Sequence, residues 1–298
     1  MDFKQIEAFI SVAKHKSFSK AANIIFLSQP AISAQISALE KELNSQLFDR
    51  NSKEVVLTEK GEAFLQYALD LINTRNAAIC QLSDSSNCIS GRFSLSASST
   101  PCNSIVPMLV EKFSQKYPMV TFNITEQPTG EIIDSILKFN SEIGLIGSCI
   151  KDERLNSYKL ANDELVLISN PSLNIPNNVP IDLLLDYKFI FRERNSATRK
   201  SFEKALLDLG LDIEQMNILC EVNSIDTLLQ LVKCGLGVSI VSKRVCEDYI
   251  NAGSIKVSRV SNLSLKRYIY MITSSRRALT PTAKAFYNIC KNEFNFEE

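Results

Sequence analysis

Apolar residues recur at helical spacing from the start of the chain. Phe3, Ile6, Phe9, Ile10 and Ala13 share one face, with Glu7, Ser11 and Lys14 off it, which predicts a first helix. Ser17 then stands as an N-cap before Phe18, Ala21, Ala22 and Ile25, a second helix ending near Phe26-Leu27. Its two alanines permit close approach of a neighbouring helix. Ser28 caps a third helix, Pro30 sits in its first turn where a missing amide costs nothing, and Ile32, Ile36, Leu39 and Leu43 repeat at three and four residues. The opposite face carries Gln29, Pro30, Ser33, Ala34, Ser37 and Lys41, short or polar groups that let the backbone lie close to another surface. Two short helices joined by a tight turn, the second presenting such a face, form a helix-turn-helix. Leu47-Phe48-Asp49-Arg50 and Val55-Val56-Leu57 then flank Asn51-Ser52-Lys53-Glu54, a hairpin with basic residues near its tip, which reads as a wing reaching phosphates.

From Thr58 to about Ser85 the pattern stays helical, with Phe64, Leu71 and Ala78 recurring every seven residues beside Leu65, Ile72 and Ile79. So broad a stripe can bury one side against the preceding helices and the other against the same helix of a second subunit, which predicts a dimer. Ser83-Asp84-Ser85-Ser86-Asn87 ends the helix and supplies a hinge. Beyond Gly91 strands alternate with helices: strand Arg92–Ala97, helix near Asn103–Gln115, strand Val120–Thr125, helix Glu131–Phe139 and strand Ile143–Gly147. The alternation restarts with strands Leu165–Ile168 and Phe189–Phe191, a helix over Thr198–Leu209, strand Ile218–Val222, a helix over Ile225–Lys233 and strand Val238–Val241. Parallel sheets with crossover helices, arranged as two α/β lobes, are expected.

A length of 298 residues fits two or three globular units, and 45% hydrophobic with 22% charged residues is the composition of a folded, soluble protein. The formal net charge of zero argues against non-specific coating of nucleic acid but leaves room for a small reader on a neutral body. No apolar run approaches the roughly 18 residues that span a bilayer, so no membrane partner and a cytoplasmic location are expected. The eight cysteines form no CxxC pair and His15 is the one histidine, so buried free thiols are expected rather than a metal site. The same histidine count removes any Cys-His nucleophile from the C-terminal part, and Gly235-Leu236-Gly237 is too short for a dinucleotide fingerprint and reads as a turn between helix and strand. No enzyme and no cofactor are expected.

In open α/β sheets ligands bind beyond the carboxyl ends of strands, where loops lead into helix N-termini. Such loops are Ser98-Ser99-Thr100-Pro101, Gly147-Ser148, Arg192 through Arg199, and Asn223-Ser224. Their hydroxyl, amide and guanidinium groups suit a small anion, although hydroxyls at helix starts are also ordinary caps and Arg192 and Arg199 could equally be surface ion-pair partners.

Five blocks in order, Ser17-Phe18-Ser19-Lys20-Ala21-Ala22, Leu27 to Ser33, Ala38-Leu39-Glu40, Leu47 to Arg50, and Leu57-Thr58-Glu59-Lys60-Gly61, resemble the signature of LysR-type transcriptional regulators, and the resemblance continues over nearly the whole chain. It implies an α+β multidomain chain: a winged helix-turn-helix over residues 1–60, a linker and dimerisation helix with hinge over 61–90, and a periplasmic-binding-protein-like effector domain over 91–298. Within the last, it implies a crossing between lobes near Asn162 and a return near Leu265, with lobe I about 91–161 and 266–298 and lobe II about 162–265. The family's reading residues map to Ser28, Gln29, Pro30, Ser33 and Gln35, and its backbone contacts to Lys20, Arg50 and Lys53. Ala34 and Ser37 stand where members often carry arginine, which implies either weaker phosphate contacts on that helix or a readout shifted toward the amides of Gln29 and Gln35. Effector contacts map to Ser98, Ser99, Thr100, Ser196, Thr198 and Ser224, alongside Gly147 and Arg192 from the loops. The implied partners are double-stranded DNA bearing an interrupted inverted repeat, a small effector, a second or further copies as homodimer or homotetramer, and RNA polymerase. A redox-sensing variant would use Cys102, beside the first ligand loop.

Overall fold

The computed structural model of the chain describes residues 1–49, 55–82 and 89–296. It divides into two compact units, Met1–Cys88 with Arg277–Pro281, and Ile89–Arg276 with Thr282–Glu298. The first holds α1 (Phe3–His15), α2 (Phe18–Ile24), α3 (Gln29–Glu42), a hairpin of β1 (Phe48–Asp49) and β2 (Val56–Leu57), and α4 (Glu59–Leu82). Each of the first three helices is started by a side chain. Asp2 and Gln5 form a reciprocal capping box on α1, Ser17 accepts from the Lys20 amide at the head of α2, and Ser28 accepts from the Ala31 amide at the head of α3. The α2 helix stops at Ile24, earlier than its apolar pattern suggests, because Phe26 adopts a left-handed backbone with φ 55°. The Leu27 amide then returns to the Ala22 carbonyl at 3.0 Å, closing the helix end.

The core of this unit is built on Phe9, Ile32, Leu39 and Leu47, all at most 1% exposed. The Phe9 ring lies 5.4 Å from that of Phe48 and 5.1 Å from that of Phe64. Each such burial stabilises by roughly 1.5–3 kcal/mol. Because α1 packs on α2, α3 and α4, Ser11 is buried although the periodicity placed it off the apolar face, while Phe3 at the helix start stays 44% exposed. The Glu40 carboxylate, on α3, accepts from the Leu47 amide at 2.7 Å and the Phe48 amide at 3.3 Å, so the wing's first strand hangs from the third helix. One side of α4 (Phe64, Leu65, Ala68, Ile72) packs on this core. Tyr67, Leu71, Thr74 and Ala78, spaced four, three and four apart, form an exposed line along it, with Ile79 beside them. The expected wing tip and the Ser83 to Asn87 hinge lie outside the described residues.

The second unit holds β3 (Gly91–Ala97), α5 (Ser99–Ser104), α6 (Val106–Lys116), β4 (Val120–Glu126), α7 (Thr129–Leu137), β5 (Ile143–Ile146), β6 (Leu155–Ser169), β7 (Asn178–Val179) and β8 (Lys188–Arg192). It continues with α8 (Ala197–Leu207), β9 (Asn217–Val222), α9 (Ile225–Lys233), β10 (Ser239–Ser242), α10 (Glu247–Asn251), β11 (Lys256–Val260), β12 (Lys266–Ser274) and α11 (Pro281–Phe294). The main sheet runs β4-β3-β5-β12-β6-β11-β7, with β10 also on β6, and β8 pairs with β9 separately. The β4, β3 and β5 strands are parallel, as are β8 and β9, but β12 is antiparallel to both β5 and β6, and β10 and β11 are antiparallel to β6. The sheet is therefore mixed where a parallel one was expected. A chain that leaves one lobe along β6 and returns beside it along β12 must run in opposite directions on the two strands.

Two elements differ in extent from the sequence pattern. The strand expected at Leu165–Ile168 runs from Leu155 to Ser169, because its polar first half is held by the ladder to β12 rather than by an apolar run. The single helix expected over Asn103–Gln115 is two, α5 and α6, interrupted at Ile105. Pro107, in the first turn of α6, has a ring that would clash with the carbonyl four residues back in a continuous helix.

The first lobe is filled by Phe93, Phe113, Phe122 and Phe286, with centroids 5.1–6.5 Å apart, so α11 packs on β3, β4 and α6. In the second, β6 alternates: Leu165 and Leu167 enter a core with Phe189, Phe191 and Phe202, while Val166 and Ile168 enter another with Ile225, Leu228 and Val232. Gly235, at φ 77°, turns the chain from α9 toward β10. No helix of the described residues is long and apolar enough to cross a membrane.

Gly61 has a different reason. The Thr58 hydroxyl donates to the Gln46 carbonyl at 2.7 Å and accepts from the Gly61 amide at 3.0 Å, drawing the head of α4 against the wing. A Cβ on Gly61 would lie 2.0 Å from the Leu47 carbonyl oxygen, a backbone atom that cannot swing aside. Gly61→Ala is expected to cost about 1–3 kcal/mol by overpacking, despite the better helix propensity of alanine. A thermal melt of the variant checks this, and an unchanged or raised midpoint would contradict the close approach.

Candidate DNA interface and ligand site

On the first unit, the residues read as DNA contacts cluster around the head of α3. Ser28, Gln29 and Pro30 are exposed, as are Ala34 and Ser37 further along the same helix, and Lys20 is exposed on α2. The Ser19 hydroxyl donates to the Gln29 amide oxygen at 3.3 Å, joining the first turns of α2 and α3. Ser33 and Gln35 are half-buried. The hydroxyl of Ser28 is engaged in capping α3. Arg50 and Lys53 lie outside the described residues.

On the second unit, the loops after β3, β5 and β8 converge on a cavity of about 250 Å³. Ser98, Ser99, Thr100, Gly147, Arg192, Ser196 and Thr198 all line it. These loops follow the carboxyl ends of strands in the parallel part of the fold, which is why they meet. Ser224 is not part of the lining: its hydroxyl accepts from the Thr227 amide at 3.3 Å as the N-cap of α9, and its neighbour Asn223 faces the cavity instead. Ser98 stands at the N-cap of α5 yet makes no capping bond.

Arg192 and Arg199 are both buried, so neither is a surface ion-pair residue. The Arg192 guanidinium forks onto Glu193 at 2.8 and 3.0 Å and also donates to Ser99 Oγ at 3.2 Å and the Asn223 carbonyl at 3.1 Å. It thereby joins the loop after β3 to the loop before α9. Arg199 supports it from behind, donating to the Arg192 carbonyl at 2.9 Å while pairing with Glu203 and Glu221.

The group that the sequence reading missed is Arg267, on β12. Its Nε donates to Asp163 Oδ2 at 2.7 Å and its Nη2 to Thr100 Oγ1 at 3.0 Å. The side chain is 9% exposed and that of Asp163 0%, and Asp163 Oδ1 accepts from Ser242 Oγ. Arg267 Nη1 is buried without a hydrogen-bond partner. A Cβ on Gly147 would lie 3.3 Å from that nitrogen, so the guanidinium packs closely over the glycine and a side chain there would crowd it. One signal was available: Arg267 keeps phase with Ile269 and Met271, the buried side of β12, and an arginine on that side needs a partner.

Glu126 also lines the cavity and accepts from Asn103 Nδ2 at 3.2 Å. Burial, with the nearby Glu126 carboxylate, pushes the Cys102 thiol up to about 11. The buried-thiol expectation holds for Cys246 and Cys290, and burial pushes Cys246 up to about 12. It fails for Cys149 and Cys234, which are exposed. Among the described residues no three histidine, cysteine or acidic side chains are grouped to hold a metal ion.

The chain matches two family descriptions, "Bacterial regulatory helix-turn-helix protein, lysR family" over residues 3–62 and "LysR substrate binding domain" over residues 87–295. A probable RuBisCO transcriptional regulator of Cyanophora paradoxa is 32% identical over 289 residues, covering 95% of this chain and 89% of that protein. The structure of a full-length OxyR variant from Pseudomonas aeruginosa superimposes with a TM-score of 0.74 at 18% identity, covering 98% of this chain and 95% of that one. The effector binding domain of QuiR in complex with shikimate gives 0.60 at 21% identity, covering 70% of this chain and 98% of that one. With the reader first in the sequence, a two-lobed α/β unit after it and both family descriptions matched in that order, the chain belongs to the LysR family of DNA-binding transcriptional regulators.

Proposed function

We propose that this regulator senses a small anion, a carboxylate foremost, in the cavity between its two α/β lobes. The observation that carries the reading is Arg267 Nη1, a buried cationic donor without a protein partner, on a side chain that lines the cavity together with Gly147. An unmet buried donor costs about 1–3 kcal/mol, and an anion entering the cavity would supply the missing acceptor. Ser98, Ser99, Thr100, Ser196 and Thr198 add hydroxyls around the same space, and Arg192 a second guanidinium. That the QuiR domain of similar fold was solved with shikimate, a carboxylate, favours the same ligand class.

DNA reading falls to Ser28, Gln29, Pro30, Ser33 and Gln35 in the major groove, with Lys20, Arg50 and Lys53 on phosphates. The exposed line on α4 (Tyr67, Leu71, Thr74, Ala78) joins two copies, and a homodimer or homotetramer then sets two readers on an interrupted inverted repeat. Ligand binding acts on DNA and on contact with RNA polymerase only as far as it favours one assembly over another. The site of action is the cytoplasm and the cavity performs no chemistry: the chain's single histidine, His15, is in the reader. A thiol as weakly acidic as that of Cys102 also speaks against a redox switch there.

Footprinting on the DNA upstream of the protein's own gene, at stated salt, is expected to protect a symmetric site that Gln29→Ala or Ser33→Ala loses; the absence of protection on any upstream fragment would overturn the DNA assignment. In thermal melts, a panel of small carboxylates is expected to contain one that stabilises the protein, by about 2.7 kcal/mol at a hundredfold excess over its dissociation constant. Gly147→Ala, which crowds Arg267 Nη1, should abolish that shift, whereas a variant responding like the parent would remove Nη1 from the site. Cys102 is protonated below its raised pKa, so its alkylation should stay slow at pH 7–8 and rise only toward pH 11. Fast alkylation at neutral pH would reinstate the redox alternative.

A further inference from the structure

The turn between α2 and α3 carries Phe26, at 94% the most exposed of the large apolar side chains among the described residues. Ile24 and Leu27 beside it are 50% and 41% exposed. Phe26 also occupies the left-handed position that ends α2, with φ 55° and the Leu27 amide closing onto Ala22 behind it, a place that glycine or asparagine fills without strain. Neither the backbone nor the side chain of Phe26 thus serves the fold. A residue kept against both preferences points to an external contact.

The surroundings say which contact. Phe26 precedes the α3 cap by two residues and is continuous with exposed Ser28, Gln29 and Pro30, the end of the helix that enters the groove in a helix-turn-helix. Over residues 1–60 there are eight lysines and arginines against seven acidic side chains. Phosphate neutralisation, the usual source of affinity, is therefore modest here, and Ala34 and Ser37 add no charge along α3. Apolar contact with sugars and thymine methyl groups is a source of favourable energy at the groove edge beside the hydrogen bonds of Gln29 and Gln35.

We infer that Phe26 is a DNA-contacting residue, its ring laid against sugars and thymine methyl groups where the head of α3 enters the major groove. The inference rests on the DNA reading of α3 proposed above, and the test separates the two.

Duplexes are first selected from a random pool with the full-length protein, and affinities for the selected site are then measured for the parent, Phe26→Asn and Phe26→Leu over a range of salt. Phe26→Asn, which suits the left-handed backbone, should melt no lower than the parent yet bind at least tenfold more weakly, with the slope of log affinity against log salt unchanged. Phe26→Leu should retain part of the affinity. Equal affinity of Phe26→Asn and parent would overturn the inference while leaving the DNA reading intact, and so would a loss accompanied by a shallower salt slope, which would mean displaced phosphate contacts. Equal DNA affinity with a lower oligomeric mass would assign the ring to a protein partner instead. If the parent enriches no sequence, the DNA reading of α3 fails and the inference falls with it.

Discussion

The second unit depends on the buried pair of Asp163 and Arg267, set where β6 and β12 pass each other between the lobes. Removing two charges from water costs several kcal/mol per ion, and only close pairing with further hydrogen bonds offsets it. Here both oxygens of Asp163 are used, by Arg267 and by Ser242, and Arg267 adds Thr100. One ion pair thus ties together the crossing strands, the end of β10 and the loop after β3. The same side chain lines the cavity and keeps its remaining nitrogen buried without a protein partner. Thr100 and Arg267 of the cavity lining and Asp163 of β6 are thus joined through one guanidinium rather than through a distant relay.

The reader is organised on a comparable economy of contacts. Glu40 holds the first strand of the wing, Thr58 holds the junction from wing to α4, and Ser19 holds Gln29. Each bond runs from a side chain on one element to a neighbouring element rather than within a helix. Glycine at position 61 is what lets the head of α4 lie against Leu47 at the junction that Thr58 holds.

Much of this was legible in the sequence because caps and periodicity are local. Ser17 and Ser28 marked helix starts, and the apolar spacing over Ile225–Lys233 matched α9 residue for residue. The loops that line the cavity were legible for the same reason: they follow strands whose apolar runs are plain. What escaped depended on pairing between distant segments. The polar first half of β6 is a strand only because β12 lies beside it, and Arg267 lines the cavity only because the return strand carries it to Thr100 and Gly147. Ser224 lies outside the cavity lining that its neighbour Asn223 joins, since a hydroxyl before a helix signals a cap and a ligand contact equally well, and here it caps.

The Leu165 amide donates to the Leu265 carbonyl at 2.9 Å, so the hundred or so residues between them begin and end at one point. Those residues hold their own two cores on either face of β6. A segment whose ends are already joined meets only the slow logarithmic cost of closing a long loop, and it can gain or lose its order as a unit without unravelling the strands that anchor it. The rest of the second unit, by contrast, is assembled from both sides of that segment and must wait for the chain to return along β12 before its sheet is complete. The inserted lobe is therefore complete once the chain reaches Leu265, whereas the cavity, lined by Arg267 of β12, exists only after the return strand is in place.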